Sequence, residues 1–213
     1  WFDESDMYFT MDASFIESIW WSLKELYTKG LLYEGYKVVA YSTRAGTTLS
    51  THEVSEGGYK DVEDPFITVK FELIDEPGTY ILAWTTTPWT LPGNVALAVN
   101  PGIEYVKFSL KNYPGISDGI YIVSKKDFSD YEKAIEENKS KGAIVETIEQ
   151  IKGKDLIGKK YKPLYQNNAP YVIIGGDFVS AEEGTGVVHI APAFGEDDMR
   201  AGKENNLPIL VTV

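Results

Sequence analysis

The stretch AWTTTPWTLPGNVALAV, residues 83–99, sets three consecutive threonines, Thr85, Thr86 and Thr87, between two runs that read as strands. The preceding TYILAW is rich in β-branched and aromatic residues, and Pro88 and Pro92 forbid ladder hydrogen bonds where it stops. Residues 85–90 therefore form a rigid segment at a strand end. Three hydroxyls there can each donate and accept, which suits a ligand with hydroxyls or ester oxygens better than one with a full charge. Threonine is also a good strand former, and a lone TTT reads first as plain sheet. Trp89 beside the hydroxyls adds a large flat wall to a pocket of selective size.

Outward from this stretch, similar runs recur at close spacing: KVVAYST, FITVKFEL, YVKFSL, GIYIVS, GAIVETI, YVIIG, GVVHIA and ILVTV. Turn signals such as Glu76-Pro77-Gly78, Pro92-Gly93-Asn94, Pro101-Gly102 and Gly175-Gly176 divide them. Helical patterns do not alternate regularly with these strands, so the expectation is a mainly β fold, a closed β-barrel decorated with peripheral α-helices. One helix is expected over residues 14–29, with Ser14 and Glu17 as a capping box and Gly30 as the C-terminal cap. A second is signalled by Ser129 and Glu132 ahead of KAIEENKSK. A third is signalled by the acids of GEDDMRAGKENN, with Pro208 as a stop. No repeat or low-complexity linker appears, which predicts one domain over residues 1–213, with a helix-containing lead-in at 1–45 and the barrel body at 46–213.

With 213 residues, 43% of them hydrophobic and 13% aromatic, the chain has ample material for a packed core. It has no apolar run long enough to span a bilayer, and WFDESDMYFTMD lacks the basic start of a signal peptide, so a cytoplasmic protein without a membrane partner is expected. The chain has no cysteine and two histidines, His52 and His189, which excludes disulfides, thiolate sites and a histidine-rich zinc site; no metal or cofactor is expected. A net charge of -12 weighs against gripping a nucleic-acid backbone unaided. The one basic cluster, Lys152, Lys154, Lys159, Lys160 and Lys162, has no arginine and reads as a solvated face.

A second chemical locus is EEGTGVVHIAPAFGEDDMR, residues 182–200. Gly184 and Gly186 bracket Thr185 and let backbone approach a ligand closely, but the spacing is not that of a dinucleotide-binding turn. His189 alternates with Val188 and Ile190 and points away from their face; alone it reads as a structural histidine. Glu196, Asp197 and Asp198 open a helix, where capping is the default role. One of them could instead face a pocket and pair with a cation such as an ammonium, and the sequence leaves open which.

Together, WTTTPWTLPGNVALAVNP and GTGVVHIAPAFGEDD resemble the two signature segments of the editing domain of the isoleucyl-tRNA synthetases, class I enzymes. The lead-in MDASFIESIWWSLKELYTKGLLYEGYKVVAYSTRAGTTLSTHEVS resembles the entry to that domain in eukaryotic-type cytoplasmic members, so the likeness covers nearly the whole chain. The valyl and leucyl relatives share the Thr-rich and GTG elements but differ where this chain has Thr87 and His189. The family's two aminoacylation signatures are absent, so the chain resembles the inserted domain, and any ATP use would belong to the full-length ligase.

The resemblance implies a hydrolase that removes valine mistakenly attached to isoleucine tRNA, with valyl adenylate as a possible second substrate. Its partners would be the 3′ terminal adenosine of the mischarged tRNA and the rest of the synthetase, with the isolated domain monomeric. The need follows from a single methylene being worth about 1–3 kcal/mol in an apolar pocket, a limit for which this synthetase family is itself the standing example. It further implies that Thr85, Thr86 and Thr87 hold the ribose and ester and help place water. Trp89, Thr90 and His189 would wall the side chain, Gly184, Thr185 and Gly186 would line the substrate site, and Asp198 would hold the α-ammonium. No cysteine and no serine in a nucleophile turn are available for a covalent intermediate, so a positioned water is the expected nucleophile. The alternatives are a non-catalytic barrel that presents tRNA or contacts a partner, and the editing domain of a valyl or leucyl relative.

Overall fold

A computed structural model describes residues 7–55, 61–138, 142–182 and 184–212. The chain divides into two compact units, Trp1–Lys37 and Val38–Val213. In the first, helix α1 spans Ala13–Thr28. It ends as expected: Gly30 adopts φ 70°, its N–H donates to the Tyr27 carbonyl, and Leu31 N–H donates to the Leu26 carbonyl at 2.9 Å, a Schellman closure. The start differs from expectation. Asp12 occupies the N-cap and its carboxylate accepts the Phe9 N–H at 3.2 Å, so Ser14 lies inside the first turn, too late to cap.

In the second unit, a short hairpin of β1 (Tyr41–Ser42) and β2 (Thr47–Thr48) precedes α2 (Thr51–Ser55). Five strands, β3 (Ile67–Glu72), β4 (Thr79–Thr85), β6 (Glu104–Lys111), β7 (Gly119–Ser124) and β8 (Ile144–Lys152), form a sheet in the order β3-β4-β7-β6-β8. Three more, β5 (Ala96–Val99), β9 (Val172–Gly175) and β10 (Val187–Ile190), form a sheet in the order β10-β5-β9. Pairing is mixed, parallel for β4 with β7 and β5 with β9 and antiparallel elsewhere. Helix α3 spans Lys125–Asn138 and α4 spans Glu196–Glu204.

This corrects the expected closed barrel: the fold is mixed α/β built on open sheets. A barrel needs an unbroken ladder around its circumference. Among the described residues, the only bridges outside these two sheets and the β1–β2 hairpin are the isolated pairs Leu73 with Tyr161 and Lys160 with Val172. On the other side β8 pairs, among the described residues, with β6 alone, and its residues Glu146, Glu149 and Lys152 are charges of the kind that blunt a sheet edge.

The period-two alternation of the strands instead separates two faces. On β5, Leu97 and Val99 join a core with Phe71, Ile81, Tyr105, Ile122 and Ile173 between the sheets, while Ala96 and Ala98 join a core with Ile190 and Ala201 of α4. The far face of the five-stranded sheet carries Val106, Phe108, Tyr121 and Val123 against Phe128 and Ile135 of α3. The layers therefore run helix, sheet, sheet, helix.

Helix α3 starts a turn before the expected Ser129, because Ser124 Oγ accepts the Asp127 N–H at 3.2 Å and caps it there. The expected end of this helix, residues 139–141, lies outside the described residues, and residues 209–212 of the last predicted strand form no strand. In the basic cluster, Lys159 and Lys162 form ion pairs with Glu76 and Glu72 at 2.6 and 2.8 Å. Among the described residues no helix is long and apolar enough to cross a membrane.

Candidate functional site

A cavity of about 390 Å³ opens where β4 ends and β10 begins. Its lining includes Thr85, Thr86, Thr87 and Thr90 from the first motif and Gly184, Thr185, Gly186, His189 and Asp198 from the second. Residues separated by about a hundred positions meet because β10 and β5 pair antiparallel, with Val187 opposite Val99 and His189 opposite Leu97, while β5 follows directly on the Thr-rich turn.

β4 ends at Thr85, and Pro88 opens a 3-10 turn over Pro88–Gly93. In such a turn residues three apart share a side. Thr90 and Gly93 are buried, whereas Trp89 is 63% exposed and Pro92 is partly exposed. Trp89, expected as a size-selecting wall, therefore lies outside the cavity lining. Aromatic surface comes instead from Trp84, Phe178 and Phe194, none of which stands out in the sequence. The signal for Trp84 is its place one residue before the threonines, in a strand whose neighbours alternate.

The hydroxyls are not equivalent. Thr85 is 6% exposed; its Oγ1 accepts the Thr87 N–H at 3.1 Å and lies 3.3 Å from Thr87 Oγ1. Thr86 and Thr87 are exposed. Thr90 Oγ1 donates to the Thr87 carbonyl at 2.8 Å and lies 3.0 Å from His189 Nε2. A hydroxyl has one proton, so the proton between Thr90 and His189 is carried by Nε2. That tautomer leaves Nδ1 bare, and Nδ1 is buried without a partner among the described residues. Burial lowers the imidazole pKa from 6.5 to about 4, so His189 is neutral at physiological pH. It lies on the Val187 side of β10, opposite Val188 and Ile190 as the alternation predicted.

Gly184 and Gly186 adopt φ 68° and 71°. A Cβ on Gly186 would sit 2.7 Å from Ser124 Cβ, and one on Gly184 would sit 3.0 Å from Trp84, so both places require glycine. Of the three acids, Asp197 is exposed and 2.6 Å from Arg200, and Glu196 lies outside the cavity lining. Asp198 is the one that lines the cavity. Its Oδ2 accepts the Ala191 N–H at 2.9 Å, and burial, the largest influence, raises its pKa above the usual carboxylate range against that hydrogen bond, with Asp197 adding to the rise. A cationic ligand group there would restore the charged form. The site thus offers exposed hydroxyls, a neutral imidazole and a half-buried carboxylate. Among the described residues no group of three or more Asp, Glu or His could hold a metal ion.

Comparison with known proteins gives concordant results. Residues 1–106 match the family of class I tRNA synthetases for isoleucine, leucine, methionine and valine. An isoleucine–tRNA ligase of Bdellovibrio bacteriovorus is 45% identical over 99% of this chain and 19% of its own length. A probable cytoplasmic isoleucine–tRNA ligase of Dictyostelium discoideum is 46% identical over 93% of this chain and 18% of its own. A bacterial and a eukaryotic relative are equally close, so the expected eukaryotic cytoplasmic type is not distinguished. The chain spans about a fifth of the length of these relatives. A crystal structure of GlLeuRS-CP1 superposes with a TM-score of 0.52 at 22% identity, covering 66% of this chain and 59% of that one, which is a likeness of fold. The chain is thus similar to class I tRNA synthetases over residues 1–106 and aligns with isoleucine–tRNA ligases along nearly its whole length.

Proposed function

We propose that the cavity is a proofreading site that hydrolyses valine from isoleucine tRNA, with valyl adenylate as a second substrate of the same chemistry. The observation that carries this reading is the convergence of Thr85, Thr86, Thr87, Thr90, His189 and Asp198 on one cavity from two distant segments.

The chemistry follows from the inventory. An aminoacyl ester is already activated, so hydrolysis requires mainly that a water be placed against the carbonyl and that the developing oxyanion meet hydrogen-bond donors. The exposed hydroxyls of Thr86 and Thr87 are available for ribose, ester and water, whereas Thr85 is engaged in shaping the turn. Asp198 holds the substrate α-ammonium. His189 does not serve as general base: Nε2 carries a proton committed to Thr90, and Nδ1 is buried. Its role is steric, with Thr90, against a side chain longer than valine. The 3′ end of a tRNA and the remainder of a synthetase are the partners this reading requires. The domain's net charge of -12 is compatible with tRNA being held chiefly elsewhere.

The test is deacylation of valyl-tRNA for isoleucine by a full-length synthetase carrying this segment, compared with Asp198→Ala. Loss of a charge-assisted contact at the reacting substrate is expected to lower kcat/KM by roughly 10- to 1000-fold. Equal rates for the two proteins would remove Asp198 from the site.

A further inference from the structure

Behind the cavity lies a hydrogen-bond junction that touches no ligand space. Tyr105 on β6 is fully buried, and its hydroxyl donates to the Gly186 carbonyl at 2.6 Å while accepting the Asn100 N–H at 3.2 Å. Asn100 extends the junction: its Nδ2 donates to the carbonyls of Val179 at 3.0 Å and Asp177 at 3.4 Å, and its Oδ1 accepts the Gly102 N–H at 2.9 Å. These contacts end on two separate walls. Thr185 and Gly186 form one, and Phe178 and Ser180, carried by the loop whose carbonyls Asn100 holds, form the other.

The first wall is fixed at a second point, where the Ser124 N–H donates to the Thr185 carbonyl at 2.8 Å. Consecutive carbonyls of Thr185 and Gly186 are thus drawn toward β6 and β7, away from the cavity they line. In a planar trans peptide the N–H opposes the preceding C=O, so holding the Thr185 carbonyl also fixes the direction of the Gly186 amide. On the Asn100 side the backbone is equally confined, since a Cβ on Gly153 would lie 2.0 Å from the Asn100 carbonyl oxygen.

We propose that Tyr105 and Asn100 are positioning residues that hold the GTG wall and the wall of residues 177–180 in register for hydrolysis. The proposal rests on the editing reading for its reaction but not for its geometry. The ring of Tyr105 packs in the core between the sheets with Leu97, Val99 and Val187, a task that phenylalanine performs as well. The hydroxyl does not serve that packing; a buried hydroxyl is costly unless bonded, and both of its bonds lead to cavity walls.

The experiment compares Tyr105→Phe and Asn100→Ala with Tyr121→Phe in the full-length synthetase. Tyr121 is the matched control: it is 2% exposed, its hydroxyl donates to the Ser117 carbonyl at 2.6 Å, and it lies outside the cavity. Tyr105→Phe is expected to lower kcat for deacylation by roughly 10- to 100-fold with KM nearly unchanged, the signature of misplaced walls. Asn100→Ala is expected to do the same, and the double variant to be little worse than either alone. Hydrogen exchange should quicken together at residues 177–180 and 184–187 in Tyr105→Phe and remain as in the parent in Tyr121→Phe. Parent-like kcat in Tyr105→Phe, an equal loss in Tyr121→Phe, or faster exchange at one wall alone would overturn the proposal. A parent enzyme that does not deacylate would refute the editing reading, and the exchange comparison would still decide whether the walls are coupled.

Discussion

Acid should destabilise this fold in part through a single imidazole. His189 is 7% exposed, and burial moves its pKa from 6.5 to about 4. Between those values the unfolded chain binds a proton that the folded chain refuses. Its contribution is therefore complete above about pH 6.5 and is lost as pH falls toward about 4. At about 1.4 kcal/mol for each pH unit, the interval corresponds to about 3 kcal/mol, a sizeable part of a domain's stability. Asp127 and Asp198 act in the opposite sense, because burial raises both and protonation relieves them. The total acid response therefore mixes signs, and the informative quantity is a difference between proteins. Urea unfolding followed by tryptophan fluorescence, run on the parent and on His189→Gln at about pH 7 and about pH 4.5, isolates the imidazole. The parent should lose about 2–3 kcal/mol more than the variant across that interval. Parallel losses, with the gap between the two proteins constant to within about 0.5 kcal/mol, would refute the assignment of a buried neutral His189.

Further outcomes follow from the same geometry. Gly186→Ala forces a Cβ against Ser124 Cβ at a φ of 71°, so a loss of about 1–3 kcal/mol is expected in urea unfolding; parent stability would mean that the turn relaxes freely. Asp127 carries a buried, unpartnered Oδ2, and burial followed by the nearby Asp130 raises its pKa to about 6. Its protonated form is therefore the better tolerated one, and stability is lost as pH rises from about 4 through about 6. Asp127→Asn should raise Tm above about pH 6 and leave it unchanged below about pH 4, and a gain of the same size at both would contradict burial of the carboxylate as the cause.

The local geometry of the second motif was legible because it depends on short-range periods, whereas the grouping of the two motifs into one site came from the family resemblance. The alternation of Val187, Val188, His189 and Ile190 sets the imidazole on the face opposite Ile190, and φ above zero at Gly184 and Gly186 is what a GTG turn between a loop and a strand requires. The open edge at β8 was not legible, because closure depends on which strands meet across space, and no strand's own pattern encodes its neighbour. Helix α3 begins earlier than its pattern suggests for a related reason: Ser124 ends β7 and caps α3 at once, and a strand reading conceals the cap.

The outward turn of Trp89 shows how one residue changes a site's composition. Reading onward from β4 with a period of two leaves Trp89 beside the hydroxyls. Pro88 instead switches the chain to a period of three, which turns Trp89 outward and brings Thr90 in. Thr90 then meets His189 at 3.0 Å: the hydroxyl proton is given to the Thr87 carbonyl and its lone pair to Nε2–H, while Nδ1 is buried without a partner among the described residues. The polar atoms where the two side chains meet are paired, and the acceptor left over, Nδ1, is already buried. On the proofreading reading, the wall that judges side-chain size therefore behaves as an apolar surface: an isopropyl group entering it strips water from no further unpaired donor or acceptor, since Nδ1 is already buried.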